Sequence, residues 1–186
     1  MKALMIAASA AALACAIPAI AAAQTAAPTG FYANLGYTDF NLKPVNLGAI
    51  QGRVGYRFNN WVGVEGELAG GVKDDHADVA TGLASPPTVR VTTKLKHEEA
   101  IYGVGFLPVS PNADLLARVG YGDTSGRGSA LGTTVGAHGD SWNYGVGGQY
   151  HFDGVNGVRV DYTRQEFTNG TSGHGDVWAI AYSRRF

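Results

Sequence analysis

Apolar and polar side chains alternate with a period of two over eight stretches of this chain, roughly 30–40, 47–58, 61–72, 91–108, 113–124, 140–152, 157–167 and 176–186. A period of two sends successive side chains to opposite faces of a strand, so the pattern predicts an all-β protein. The faces are sharply divided. Trp142, Tyr144, Val146, Tyr150 and Phe152 share one parity, whereas Asn143, Gly145, Gly147, Gln149 and His151 share the other. Val54, Tyr56 and Phe58 oppose Gln51, Arg53 and Arg57, and Val62, Val64 and Leu68 oppose Glu65 and Glu67. Leu115, Ala117, Val119 and Tyr121 oppose Arg118, while Val158, Val160 and Tyr162 oppose Arg159, Asp161 and Thr163. The 27 glycines suit strands that tilt, turn and pack closely, and argue against a helical core.

Most of these stretches run 11 to 13 residues, close to the length with which a tilted strand crosses a bilayer. Short connections at 59–60, 109–112 and 153–156 alternate with longer ones near 73–90, 125–139 and 168–175, apart from a short 41–46 link. That is the pattern of a transmembrane barrel with short turns on one side and longer loops on the other. A soluble sandwich or lipocalin-like barrel also alternates, but turns its apolar face inward. Aromatic residues near strand ends favour lipid: Phe58, Trp61, Phe106, Trp142, Tyr150, Phe152 and Phe186 are placed as interfacial girdles.

The N-terminus agrees. Lys2 is followed by an apolar run to Ile20 and by Ala21-Ala22-Ala23, a small-residue cleavage signature, so residues 1–23 are predicted to be a signal peptide. Residues 24–29 form a brief lead-in, and 30–186 the barrel domain. The single cysteine, Cys15, lies inside the leader and leaves the mature chain without a disulfide, thiol nucleophile or thiolate metal site. Loss of Lys2 reduces 14 basic side chains to 13 against 15 acidic ones, a formal charge of −2, with no basic excess for nucleic acid.

Two runs, Val54-Gly55-Tyr56-Arg57-Phe58-Asn59-Asn60-Trp61-Val62-Gly63-Val64-Glu65-Gly66-Glu67 and Tyr182-Ser183-Arg184-Arg185-Phe186, resemble the small outer-membrane barrel domain of the opacity-protein, outer-membrane protein A and porin-like superfamily. The resemblance covers essentially the whole mature chain. It implies an eight-stranded antiparallel up-and-down transmembrane barrel in the cell outer membrane of a Gram-negative bacterium. It also implies lipid and lipopolysaccharide as surroundings, and a C-terminal signal read by the barrel-assembly machinery. In this chain that signal comprises Trp178, Ile180, Tyr182 and the terminal Phe186; Arg184 stands where the family usually has an apolar residue.

By parity, Arg53, Arg57, Arg118, Arg159 and Arg185 point into the lumen with Glu65, Glu67, Glu99 and Asp161. Eight strands enclose only enough space for side chains to fill, which predicts a packed polar interior of paired charges. An exchange of partners between Arg and Glu would instead open a narrow gated path for ions or small solutes. Loop 73–90 carries Lys73, Asp74, Asp75, His76 and Asp78 but matches no calcium loop, and exposed strand charge is preferred to divalent bridging of lipopolysaccharide phosphates by His97, Glu98 and Glu99; no metal site is expected. Gly145-Val146-Gly147-Gly148 and Gly126-Arg127-Gly128 precede no helix signal, so no phosphate cradle or cofactor is expected.

Related barrels include lipid A deacylases and palmitoyltransferases. The deacylase His-x-Ser-Asn run is absent, and His138 and Ser141, three apart in a strand, fall on opposite faces. The expected role is therefore structural or surface-interacting, not catalytic, with loops 73–90 and 125–139 as the surface for a ligand, permeation as the first alternative and lipid A modification as the last.

Overall fold

The computed structural model describes residues 29–41, 46–73, 75–80, 88–130, 133–168 and 173–186; the predicted leader, Cys15 and the lead-in up to residue 28 lie outside the described residues. Nine strands form one antiparallel sheet: β1 (Gly30–Asn41), β2 (Asn46–Arg57), β3 (Val62–Lys73), β4 (Asp75–Ala80), β5 (Thr88–Ser110), β6 (Ala113–Ala130), β7 (Thr133–His151), β8 (Asn156–Phe167) and β9 (His174–Arg185). β1 pairs with β2 on one side and β9 on the other, and a β3–β5 pairing joins the two ends. The sheet thus closes into an eight-stranded barrel, with β4 prolonging the position of β3 along the outer part of β5.

Closure follows from the alternation. Strands β1–β3 and β5–β9 turn large apolar residues such as Leu35, Val54, Leu68, Ile101, Val119, Val146 and Ile180 outward, and bury polar residues inward. In a bilayer this is the stable arrangement, because a closed barrel leaves no backbone donor or acceptor unpaired in hydrocarbon.

The short turns are built by side-chain acceptors. Asn59 Oδ1 accepts from the backbone N–H groups of Trp61 (2.8 Å) and Val62 (3.0 Å). Asp153 does the same for Val155 (2.9 Å) and Asn156 (2.6 Å), with Gly154 taking a positive φ of 80°. Such Asx turns hold the chain in a tight reversal without ladder bonds.

The loop assignments need correction. The stretch near 73–90 contains β4 and the start of β5, and 125–139 is the far end of a long hairpin paired from Ala113↔Tyr150 to Ala130↔Thr133. Strands β5, β6 and β7 contain 23, 18 and 19 residues against 12 in β1. Beyond the bilayer a strand needs no lipid-facing apolar row, so Ser125-Gly126-Arg127-Gly128-Ser129 pairs as a strand without displaying the alternation that marks one.

Candidate functional site

The lumen is filled in layers. Across its middle, three arginines and three carboxylates form a closed ring of alternating charge. Arg53 donates through Nε to Glu67 (2.6 Å) and through both terminal nitrogens to Asp161 (2.7 and 3.0 Å). Arg118 donates to Glu67 (2.8 Å) and Glu65 (3.1 Å). Arg159 donates twice to Glu65 (2.6 and 3.2 Å) and through Nε to Asp161 (3.1 Å), closing the ring. All six side chains are buried, and Tyr32 adds a hydroxyl to Glu65 at 3.1 Å. Two-tooth arginine–carboxylate contacts are strong and fix geometry as well as charge.

A second cluster lies toward the short turns. Asp114 receives both terminal nitrogens of Arg57 (3.1 and 3.2 Å), one of Arg185 (2.7 Å) and the Gln149 amide (2.8 Å). Arg57 also donates to the carbonyls of Asn59 and Asn60, so the same side chain ties the lumen to the β2–β3 turn. Away from the turns, Gln165 donates to Glu98, and Asn143 donates to the Tyr102 hydroxyl at 3.0 Å. Phe40, Leu47, Ala49, Ala69, Leu95 and Val177 then close the far end with an apolar layer.

The structure brings together Arg53, Arg57, Arg118, Arg159, Arg185, Glu65, Glu67 and Asp161 inside the barrel. Glu99 is corrected: it is exposed on the outer face, and Glu98 (1% exposed) takes the inward place. Phe106 is corrected for the same reason. It is 4% exposed and lies in the lumen beneath the Arg57 guanidinium, whose carbon is 4.2 Å from the ring centroid, instead of in a girdle. Tyr102, Val104 and Phe106 are apolar yet point inward, because small neighbours leave room there: the Tyr102 ring occupies the space a side chain on Gly120 would need.

Phe58, Trp61, Trp142, Tyr150, Phe152 and Phe186 are outward-facing, as are Trp178, Ile180 and Tyr182 of the last strand. Edge contacts join Phe31, Tyr56 and Phe58 near the turns, and Tyr121 with Trp142 on the opposite rim.

Sequence reasoning missed Asp114 and Glu98. Asp114 has the parity of Arg118 and was open to detection; Glu98 was hidden by a strand with apolar residues on both faces. It also missed Ser125, whose hydroxyl lies 2.9 Å from His138 Nδ1 across the β6–β7 ladder. Ser125 is buried, so this contact braces the hairpin and presents no accessible nucleophile.

Among solved structures the chain is similar in fold to Ail of Yersinia pestis, solved in complex with the heparin analogue sucrose octasulfate: TM-score 0.61, 18% identity, covering 85% of this chain and 99% of that one. OprG of Pseudomonas aeruginosa superposes with a TM-score of 0.63 at 9% identity over 84% of this chain and 96% of its own. The N-terminal barrel of Pseudomonas aeruginosa OprF gives 0.55 at 9% identity, covering 84% and 99%. None of the curated proteins matches the sequence. The model of the outer membrane protein beta-barrel domain matches residues 7–186, nearly the whole chain, and the protein belongs to that family of outer-membrane barrels.

Proposed function

We propose that the protein is a closed barrel of the Gram-negative outer membrane with a structural or surface-interaction role, exported by cleavage of residues 1–23 and inserted through recognition of Trp178, Ile180, Tyr182 and Phe186 in its last strand. The observation that carries the closed reading is the six-membered charge ring, which spans the lumen with each member holding at least two partners. The aromatic belts, without Phe106, would hold it at the two interfaces. The elongated β5–β7 strands supply the surface, where Lys94, Lys96 and Arg127 are exposed and Lys94 stands directly opposite Arg127. Exposed cationic side chains on these strands attract negative charge, so the surface partner would be anionic. This reading gives the protein no catalytic role.

The mature chain, refolded into micelles, is expected to migrate as a compact band on an unheated denaturing gel and to shift on boiling, while giving no stable steps in planar bilayers. Reproducible steps would replace the closed barrel with a pore. One observation favours that second reading: Arg53 and Arg118 both lie within 4.0 Å of Glu65, Glu67 and Asp161, so partners exchange with little movement. If a pore is found, Arg53→Ala and Glu65→Ala must alter its conductance for the exchange to be its gate.

A further inference from the structure

Outside the lumen, one cluster has the composition of a metal site. His97, Glu99 and Asp123 each present a ligand atom, and these atoms all lie within 4.8 Å of one another. The register explains the cluster. Glu99 pairs directly with Asp123 across β5–β6, Asp123 pairs with Asp140 across β6–β7, and a bulge between Leu95 and His97 sets the imidazole beside them. Two carboxylates opposed on neighbouring strands repel each other. Among the described residues, neither Glu99 nor Asp123 takes part in an ion pair or a side-chain hydrogen bond. A cation would relieve that repulsion. Zinc binds imidazole nitrogen and carboxylate oxygen at about 2.0–2.2 Å, so closing this triad on one ion takes side-chain shifts of under roughly 1 Å. Calcium, which takes six to eight oxygens, fits the set less well. Three protein ligands leave at least one position open.

A groove adjoins the two carboxylates. On the outer surface a depression of about 750 Å³ runs from Glu99 and Asp123 between Leu68, Ile101 and Tyr121. Its floor is Gly52 and Gly66: a Cβ on Gly52 would meet nothing within 4 Å, and one on Gly66 only the Val54 carbonyl at 3.9 Å. The acidic end lies two residues beyond Tyr121, whose ring packs on Trp142 at 5.4 Å, on the side away from the short turns. That places the ligand cluster next to an aromatic pair at headgroup depth and the groove in the acyl region.

We infer that His97, Glu99 and Asp123 bind a divalent cation of the zinc type, which bridges the protein to the phosphate monoester of a membrane lipid whose acyl chain lies over Gly52 and Gly66. The inference rests on the barrel reading above, because the groove meets lipid only if this face does. The ion neutralises the two carboxylates, which would otherwise repel a phosphate, and offers its open coordination position to a phosphate oxygen; the glycine floor lets the chain approach the backbone.

The test uses full-length mature protein in sulfobetaine micelles, after its heat shift on the gel has shown it folded. Calorimetric titration with zinc chloride is expected to give one ion per chain, with calcium at least tenfold weaker, and Glu99→Gln with Asp123→Asn is expected to weaken zinc at least tenfold. Native mass spectrometry should then show phosphatidic acid retained over phosphatidylcholine when zinc is present. That preference should disappear with chelator and in the double variant. Gly52→Leu with Gly66→Leu should keep the zinc and lose the lipid. Absence of zinc binding in heat-shifting protein overturns the site while the barrel stands, and absence of the heat shift overturns both. Zinc binding without any lipid preference overturns the bridge. Inorganic phosphate binding as tightly as phosphatidic acid overturns the groove.

Discussion

Arg159 has no exposed surface and contacts both Glu65 and Asp161, so its removal leaves the buried ring one positive charge short and takes a partner from each of the two carboxylates. Breaking one side of a buried ion network costs about 3–5 kcal/mol, far more than an exposed pair contributes. Arg159→Ala should therefore lower the unfolding free energy of the refolded barrel by that amount, read from urea titration followed by tryptophan fluorescence; a change below about 1 kcal/mol would mean that water enters the lumen. At the turn, Asp153 behaves differently because it is in solvent. The backbone N–H of Asn156, then its side-chain amide and the Val155 N–H, lower the Asp153 carboxyl from its usual 3.8 to about 2. A carboxyl lowered by folding stabilises the folded state above its ordinary value and loses that effect as pH falls toward 2. A carboxyl NMR titration should place its midpoint near 2, and Asp153→Ala should remove this part of the acid dependence.

Among the strands, β5 and β6 fit because a ring lies where a side chain is missing. A Cβ on Gly120 would come within 2.5 Å of the Tyr102 ring and 2.2 Å of the Ile101 carbonyl. The same ring lies 3.8 Å from the carbon of the Arg118 guanidinium, so displacing it disturbs the charge ring as well. Gly120→Ala should cost about 1–3 kcal/mol, as overpacking does, whereas Gly52→Ala on the open outer face should be near neutral in the same unfolding assay. The outer hairpin is a separate matter. Among the described residues, none of the ion pairs of the lumen uses a residue between 125 and 138. Excising 125–138 and rejoining Thr124 to Gly139, which pair across the ladder, should leave the heat shift intact while removing surface binding of an anionic partner.

For the whole molecule, the described lumen holds five arginines, Arg53, Arg57, Arg118, Arg159 and Arg185, against Glu65, Glu67, Glu98, Asp114 and Asp161. The balance is uneven along the axis: the ring is neutral, Arg57 and Arg185 share Asp114 near the turns, and Glu98 lies with Gln165 on the other side. These charges are shielded from mobile ions, so the unfolding midpoint should change little between roughly 0.05 and 0.5 M sodium chloride; a marked fall would show that salt reaches the ring. The outer face carries the opposite arrangement, apolar across the span with aromatics toward both rims, which is why a single closed sheet satisfies both lipid and lumen.

How much of this was legible depends on the range of the interaction. Alternation in residues such as Val158-Arg159-Val160-Asp161 determined that Arg159 and Asp161 face together, because the pleat reverses direction at every residue and needs no neighbour to do so. The eight positions around the barrel, the polar interior and the short turns at Asn59 and Asp153 followed from equally local signals, whereas β4 did not. Only the tertiary structure decided that Arg53, Arg118 and Arg159, from three separate strands, converge on the same carboxylates, since that depends on how far each strand is staggered around the barrel. It also decided β5. With Tyr102, Val104 and Phe106 on one face and Ile101 and Leu107 on the other, hydropathy offered no choice, and the space above Gly120 turned Tyr102 inward, carrying Glu98 with it and leaving Glu99 outside.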